Sequence, residues 1–260
     1  MLAGRTNDLD KLLAIKTFLY EPGPWNGGHA FDYDLDDPLG AKPENQLLST
    51  YLDTRKGNCV SMPTLFLALM ERLDPDVPLR GVLVPRHLFV RLHDRQSGDV
   101  WNIETANGGH PARNRWYIEQ MHIPQHAIDQ GTYLQDLTKR EYLAALINGL
   151  TRRERFAERY EEALAYAELA LRLHARSINA LIQKGAVLEW IVYEEIEAAK
   201  REGVSLSPAR RDDLNALNAQ SQHAIEQAQA LGWRPETAEE RQRYVARVEA
   251  EQARRAALNQ

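Results

Sequence analysis

Apolar positions along the chain alternate between helical and strand spacing, and the order of the two is informative. In "NDLDKLLAIKTFL" Asn7 is placed to cap a helix whose inward face would hold Leu9, Leu12, Leu13 and the aliphatic stem of Lys16. "EPGPWNGGHAFDYDLDDPLGAKP" then reads as a long loop from its proline, glycine and aspartate content. "ENQLLSTYLDTRKG" predicts a short helix entered through Pro43 and closed by Gly57. Residues 59–73 predict a second helix, apolar nearly all round at Leu65, Phe66, Leu67, Leu69, Met70 and Leu73, and therefore buried. Pro63 lacks an N–H and fits near a helix start, so the regular helix could equally begin near Ser61.

Strand spacing follows. "LRGVLV" and "HLFVRLH" predict two strands, the second alternating Leu88, Val90 and Leu92 against His87, Phe89 and Arg91. "DVWNIET" predicts a third, with Val100, Asn102 and Glu104 on one face, and "DRQSGD" before it has hairpin-turn chemistry. From about Lys139 the spacing is helical to the end. Ala163, Ala167 and Ala170 stand at packing intervals, and Gly185 falls 34 residues after Thr151, the period of a tetratricopeptide repeat. Ala175 stands where that repeat usually has proline. "SQHAIEQAQALGWRPE" predicts a further helix ending before Pro235, and the charged last segment a solvated or frayed one.

Composition supports a division. Ten of the twelve prolines and eleven of the fifteen glycines precede residue 140. The expected domains are 1–138, loop-rich with helices and strands, and 139–260, helical. Charge is dense but balanced, 32 Lys and Arg against 37 Asp and Glu, with no basic stripe, which argues against nucleic acid as a partner. One cysteine forms no internal disulfide, so the fold does not depend on an oxidising compartment. "MLAGRTNDLDKLL" lacks the apolar core of a secretion signal and no segment approaches a membrane span, so the expected compartment is the cytoplasm, or the periplasm had a signal been removed.

That single cysteine changes the picture. Free cysteine is among the most buried residue types, so Cys59 alone reads as core filler. A reactive thiol instead needs help to become thiolate. Asn58 could cap a helix whose first turn contains Cys59, where backbone dipoles favour an anion, and Arg55 and Lys56 add positive charge nearby. His87 opens the second predicted strand, out of phase with Leu88, Val90 and Leu92. The midpoint between His87 and Glu104 lies within about a residue of the middle of "DRQSGD", so antiparallel pairing makes them near-opposite neighbours, with Cβ atoms on the order of 5 Å apart. A carboxylate there could fix the imidazole tautomer, completing a nucleophile, base and orienter; Asn102, on the same face, is the alternative orienter.

"GNCVSMPTLFLALMERL", "VPRHLFVRL" and "WNIETANGG" together resemble the cysteine, histidine and acid blocks of the transglutaminase-like superfamily, and the closest branch is one of bacterial proteins with a tetratricopeptide-like tail. The resemblance implies an α+β fold: a papain-like core, with the nucleophile at the start of a helix packed on an antiparallel sheet, followed by a helical repeat-like region. By position it assigns Cys59 as nucleophile, His87 as base and Glu104 as acid, where the family usually carries the shorter aspartate. It implies an acyltransferase or peptidase acting on protein or peptide amides. The Cys59 N–H, with Asn58 or Gln46, would serve the oxyanion. No cofactor or metal is expected: His122 and His126 have a metal-like spacing, but Pro124 interrupts any ordinary helix between them. "NGGH" at 107–110 lacks the lysine of a phosphate loop and reads as a turn. The alternative is an inactive scaffold that binds a protein partner through its helices.

Overall fold

A computed structural model describes residues 7–258, omitting the side chains of 247 and 255–258. The described chain falls into two compact units. One runs through Ile123 and also takes in the segment from Arg234 onward; the other is Pro124–Trp233.

The first unit opens with helix α1, Asp8–Tyr20. Asn7 caps it, its side-chain oxygen accepting a 2.6 Å hydrogen bond from the Asp10 N–H. The buried face is Leu12, Ile15 and Leu19 rather than Leu9, Leu12 and Leu13; Leu13 is 45% exposed. A two-residue strand β1 (Asp32–Tyr33) pairs in parallel with β2 (Lys56–Gly57), Tyr33 opposite Gly57. Between them a 3-10 turn (Pro43–Gln46) leads into helix α2, Leu48–Thr54. That helix stops at Arg55, not at Gly57: Arg55 takes the left-handed conformation (φ 58°) and its N–H returns to the Tyr51 carbonyl.

Helix α3, Ser61–Leu73, begins at the later of the two expected starts. It buries one face, Met62, Leu65, Phe66 and Met70, and leaves Leu73 exposed. Those side chains join Leu12, Ile15 and Leu19 of α1 and Val90, Leu92 and Ile103 of the sheet in one core. Each full burial is worth about 1.5–3 kcal/mol. Four antiparallel strands face it: β3 (Leu79–Val84), β4 (His87–His93), β5 (Val100–Glu104) and β6 (His110–Ala112), in the order β6-β5-β4-β3. The β3–β4 turn is only Pro85–Arg86, with Val84 paired to His87. Asp94 closes the β4–β5 turn, accepting from the Ser97 hydroxyl at 2.6 Å and from the N–H groups of Gln96 and Ser97. Helix α4, Asn114–Met121, follows β6 and lays Tyr117 on Phe89, ring centroids 4.2 Å apart.

The second unit is helical apart from a two-residue strand β7, Asp136–Leu137. After the short α5 (Gln125–Asp129) come α6 (Lys139–Phe156), α7 (Tyr160–Leu173), α8 (Ile178–Glu202) and α9 (Pro208–Ala230). Starts are signalled by residue type: Thr138 and Glu141 form a reciprocal cap, and Ser177 and Ser207 each accept from the backbone three residues on. Ala163, Ala167 and Ala170 are fully buried. A Cβ on Gly185 would lie 2.9 Å from the Ile225 side chain and 3.3 Å from the Ser221 carbonyl oxygen, so glycine lets α8 and α9 approach this closely with Ile225 undisturbed. The last helix, α10 (Ala238–Leu258), belongs to the first unit, where Tyr244 donates to the Pro38 carbonyl at 2.7 Å and Gln252 to that of Leu35. It is not a free solvated tail.

Candidate active site

Cys59 sits in the tight link between β2 and α3, two residues before the first helical residue, the end where the helix dipole favours an anion. Asn58 builds this link. Its side-chain oxygen accepts from the N–H groups of Val60 (2.9 Å) and Ser61 (3.2 Å), while its own N–H donates to the Ser61 hydroxyl at 3.0 Å. The Ser61 hydroxyl in turn donates to the Asn45 carbonyl at 3.0 Å, tying the 3-10 turn to the link. Gly57 is obligatory for space: a Cβ there would meet the Tyr51 ring at 2.5 Å and Ser61 Oγ at 2.8 Å. Cys59 is thus held half-exposed, with its thiol donating to the Arg86 carbonyl at 3.6 Å.

Arg86 is the second residue of the β3–β4 turn and adopts φ 59°, a conformation that glycine usually fills. His87 follows it directly, and the Cys59 sulfur is near enough to its imidazole to favour the charged ring. On the other side, His87 Nε2 lies 2.6 Å from Glu104 Oε2. The strand register pairs Arg91 with Asn102, which places His87 and Glu104 diagonally across the hairpin rather than near-opposite. A diagonal is longer by about 2–3 Å. The extra methylene of glutamate spans it, and the pair closes.

Glu104 is buried and takes two further donors, the Tyr117 hydroxyl at 3.0 Å and the Ala106 N–H at 3.1 Å. Burial is the largest single influence on His87 and works to strip its proton. The Glu104 carboxylate, the hydrogen bond to Cys59 and the hydrogen bond to Glu104 overcome it, pushing the imidazole up to about 10.

The remaining expected site residues are placed as follows. Asn102 is committed elsewhere, accepting from Arg91 Nε at 2.7 Å and donating to Asn114 Oδ1 at 2.7 Å. Asn58 spends its side-chain oxygen on the helix cap, and its amide nitrogen faces Gly40. Gln46 ends the 3-10 turn beside Asn45, half-buried. Arg55 is turned away, donating to the Asn26 and His29 carbonyls, and Lys56 reaches Asp32 at 3.9 Å. Two participants were missed in the sequence. Tyr117 could have been signalled by the aromatic pair in "NRWYIEQM", but its reach to Glu104 depends on how α4 docks. The Arg86 carbonyl carries no residue-type signal at all.

An open cleft of about 590 Å³ borders Glu104, lined also by His110, Arg113 and Trp116. His122 ends α4 in the left-handed conformation and pairs with Glu240 at 3.2 Å, while Pro124 caps the next helix ahead of His126. Gly108 and Gly109 make the expected turn with positive φ. Among the described residues no group of three or more His, Cys, Asp or Glu is placed to hold a metal ion, and no helix is long and apolar enough to cross a membrane.

No curated protein and no solved structure matches the chain. A family model does, over residues 3–158, well beyond half the length and spanning every residue of this arrangement. With a helix-start cysteine packed against an antiparallel sheet that carries the histidine and the acid, the chain belongs to the transglutaminase-like superfamily.

Proposed function

We propose that the protein is a cysteine acyltransferase or peptidase acting on protein or peptide amides through Cys59, His87 and Glu104. In the reactive form the thiol proton resides on His87, whose charged form the Glu104 carboxylate favours, and Cys59 Sγ attacks the amide carbonyl, its carbon–sulfur bond forming as the carbonyl π electrons move to oxygen. Collapse of that oxyanion expels the amine, to which the His87 imidazolium returns the proton, leaving a thioester. Glu104 holds the imidazole in place and stabilises its cationic form. The Cys59 N–H, with the side-chain amide of Gln46 or Asn58, would serve the oxyanion. A primary amine then gives transamidation and water gives hydrolysis.

One observation carries this reading: the imidazole lies 2.6 Å from a buried carboxylate and within the influence of the Cys59 sulfur, and both favour its charged form. It is tested by incubating the protein with a library of glutamine-containing peptides, with and without a primary amine, and following Cys59 by mass spectrometry. An acyl mass on the Cys59 peptide, absent in Cys59→Ala, supports the reading. Absence of any acyl mass or turned-over peptide across the library contradicts it.

A second reading, a partner-binding scaffold with tetratricopeptide-like helices, is favoured by the exposed aromatics of α8. Trp190 and Tyr193 are 41% and 52% exposed and stack edge to face, with Tyr160 of α7 parallel to Trp190. Replacing both α8 aromatics by alanine should release a bound partner. Retention of every partner removes the basis for this reading.

A further inference from the structure

The C-terminal segment meets the Cys59 site from two sides. On one side the Glu236 carboxylate pairs with the Arg86 guanidinium. Arg86 supplies the carbonyl that accepts the thiol, and it is bonded through the chain to His87. Its left-handed conformation is strained for a residue with a side chain and persists only where surrounding contacts hold it. Glu236 is such a contact. On the other side, the Tyr244 hydroxyl stands 3.2 Å from that of Tyr33 and donates to the Pro38 carbonyl at 2.7 Å. Tyr33 pairs with Gly57 across the β1–β2 ladder, two residues from Cys59. Its phenol is held far above the usual range, first by burial and next by the charge of Cys59, so the ring is within electrostatic reach of the sulfur. Glu240 anchors the start of α10 between these contacts, taking Arg234 at 2.5 Å and His122 at 3.2 Å.

We propose that the segment from Arg234 is a clamp that sets the geometry of the Cys59–His87 pair, with Glu236 and Tyr244 as positioning residues. Neither touches the sulfur or the imidazole; each fixes one of the backbone segments between which the thiol is held. The clamp rests on the reading of Cys59 and His87 as a nucleophile and its base. The Arg86–Glu236 pair is partly exposed, so its loss should change the rate by about two- to fivefold.

The test uses the full chain and the rate of Cys59 alkylation by iodoacetamide between about pH 5 and pH 9. Glu236→Gln and Tyr244→Phe should each slow the neutral-pH reaction by about two- to fivefold, with the unfolding midpoint unchanged and Glu236→Asp restoring the rate. Tyr244→Phe keeps the ring and loses only the hydroxyl, so it reports on the clamp even if Glu236→Gln disturbs folding. His87→Ala is measured alongside and should slow the reaction more than either. If His87→Ala is slow while both clamp variants match or exceed the wild-type rate, the clamp is overturned and the nucleophile–base reading stands. If His87→Ala matches wild type, both fall.

Discussion

Glu104 is buried and has three donors in its grip, so each donor has a measurable worth. Tyr117→Phe removes one while keeping the ring stacked on Phe89. It should cost about 1 kcal/mol in urea unfolding, and an unchanged midpoint would show that the hydroxyl contributes nothing. The imidazole carries the pH dependence. Its value is raised from 6.5 to about 10, so the stability it contributes is complete below about pH 6.5 and is lost as pH climbs toward 10. Wild type should therefore lose stability relative to His87→Gln across that interval; parallel curves would contradict the charged pair. That His87 and Glu104 would meet was legible in the sequence because turn chemistry fixes a hairpin register to within a residue or two. Tyr117 and the Arg86 carbonyl were not, since one depends on helix docking and the other on backbone direction.

Elements impose their own conditions on the site. Gly57 lets β2 turn into α3 under the Tyr51 ring, so Gly57→Ala should cost about 1–3 kcal/mol and slow the Cys59 reaction; a wild-type unfolding midpoint would contradict the close packing. The β4–β5 hairpin is fastened to α1 by Arg95, whose guanidinium takes both oxygens of buried Asp8 at 2.5 and 2.7 Å. The hydrogen bond from Arg95 is the main reason that the Asp8 carboxyl lies below its usual value. Its contribution is present above about pH 4 and is lost as pH falls through the lowered value. Asp8→Asn should accordingly destabilise by about 2 kcal/mol at neutral pH and progressively less in acid. Strands and helices were legible here at their proline, glycine and alternating positions. The misread end, Arg55 for Gly57, is a place where a tertiary contact outweighs a local preference: Arg55 is drawn to the Asn26 and His29 carbonyls.

At the scale of the whole molecule, periodicity says that a helix exists and not where it docks. The charged segment after Thr237 has the composition of a solvated helix, yet its sparse apolar and amide side chains, Tyr244 and Gln252, place it on the first unit. The long separation in sequence from Tyr33 and Pro38 leaves no local signal of that contact. The most direct test of the arrangement is the titration of the His87 ring by nuclear magnetic resonance in wild type, Cys59→Ala and Glu104→Gln. The account expects a wild-type imidazole that keeps its proton well above pH 6.5 and titrates lower in both variants. A ring titrating near 6.5 in wild type, indifferent to either substitution, would contradict it.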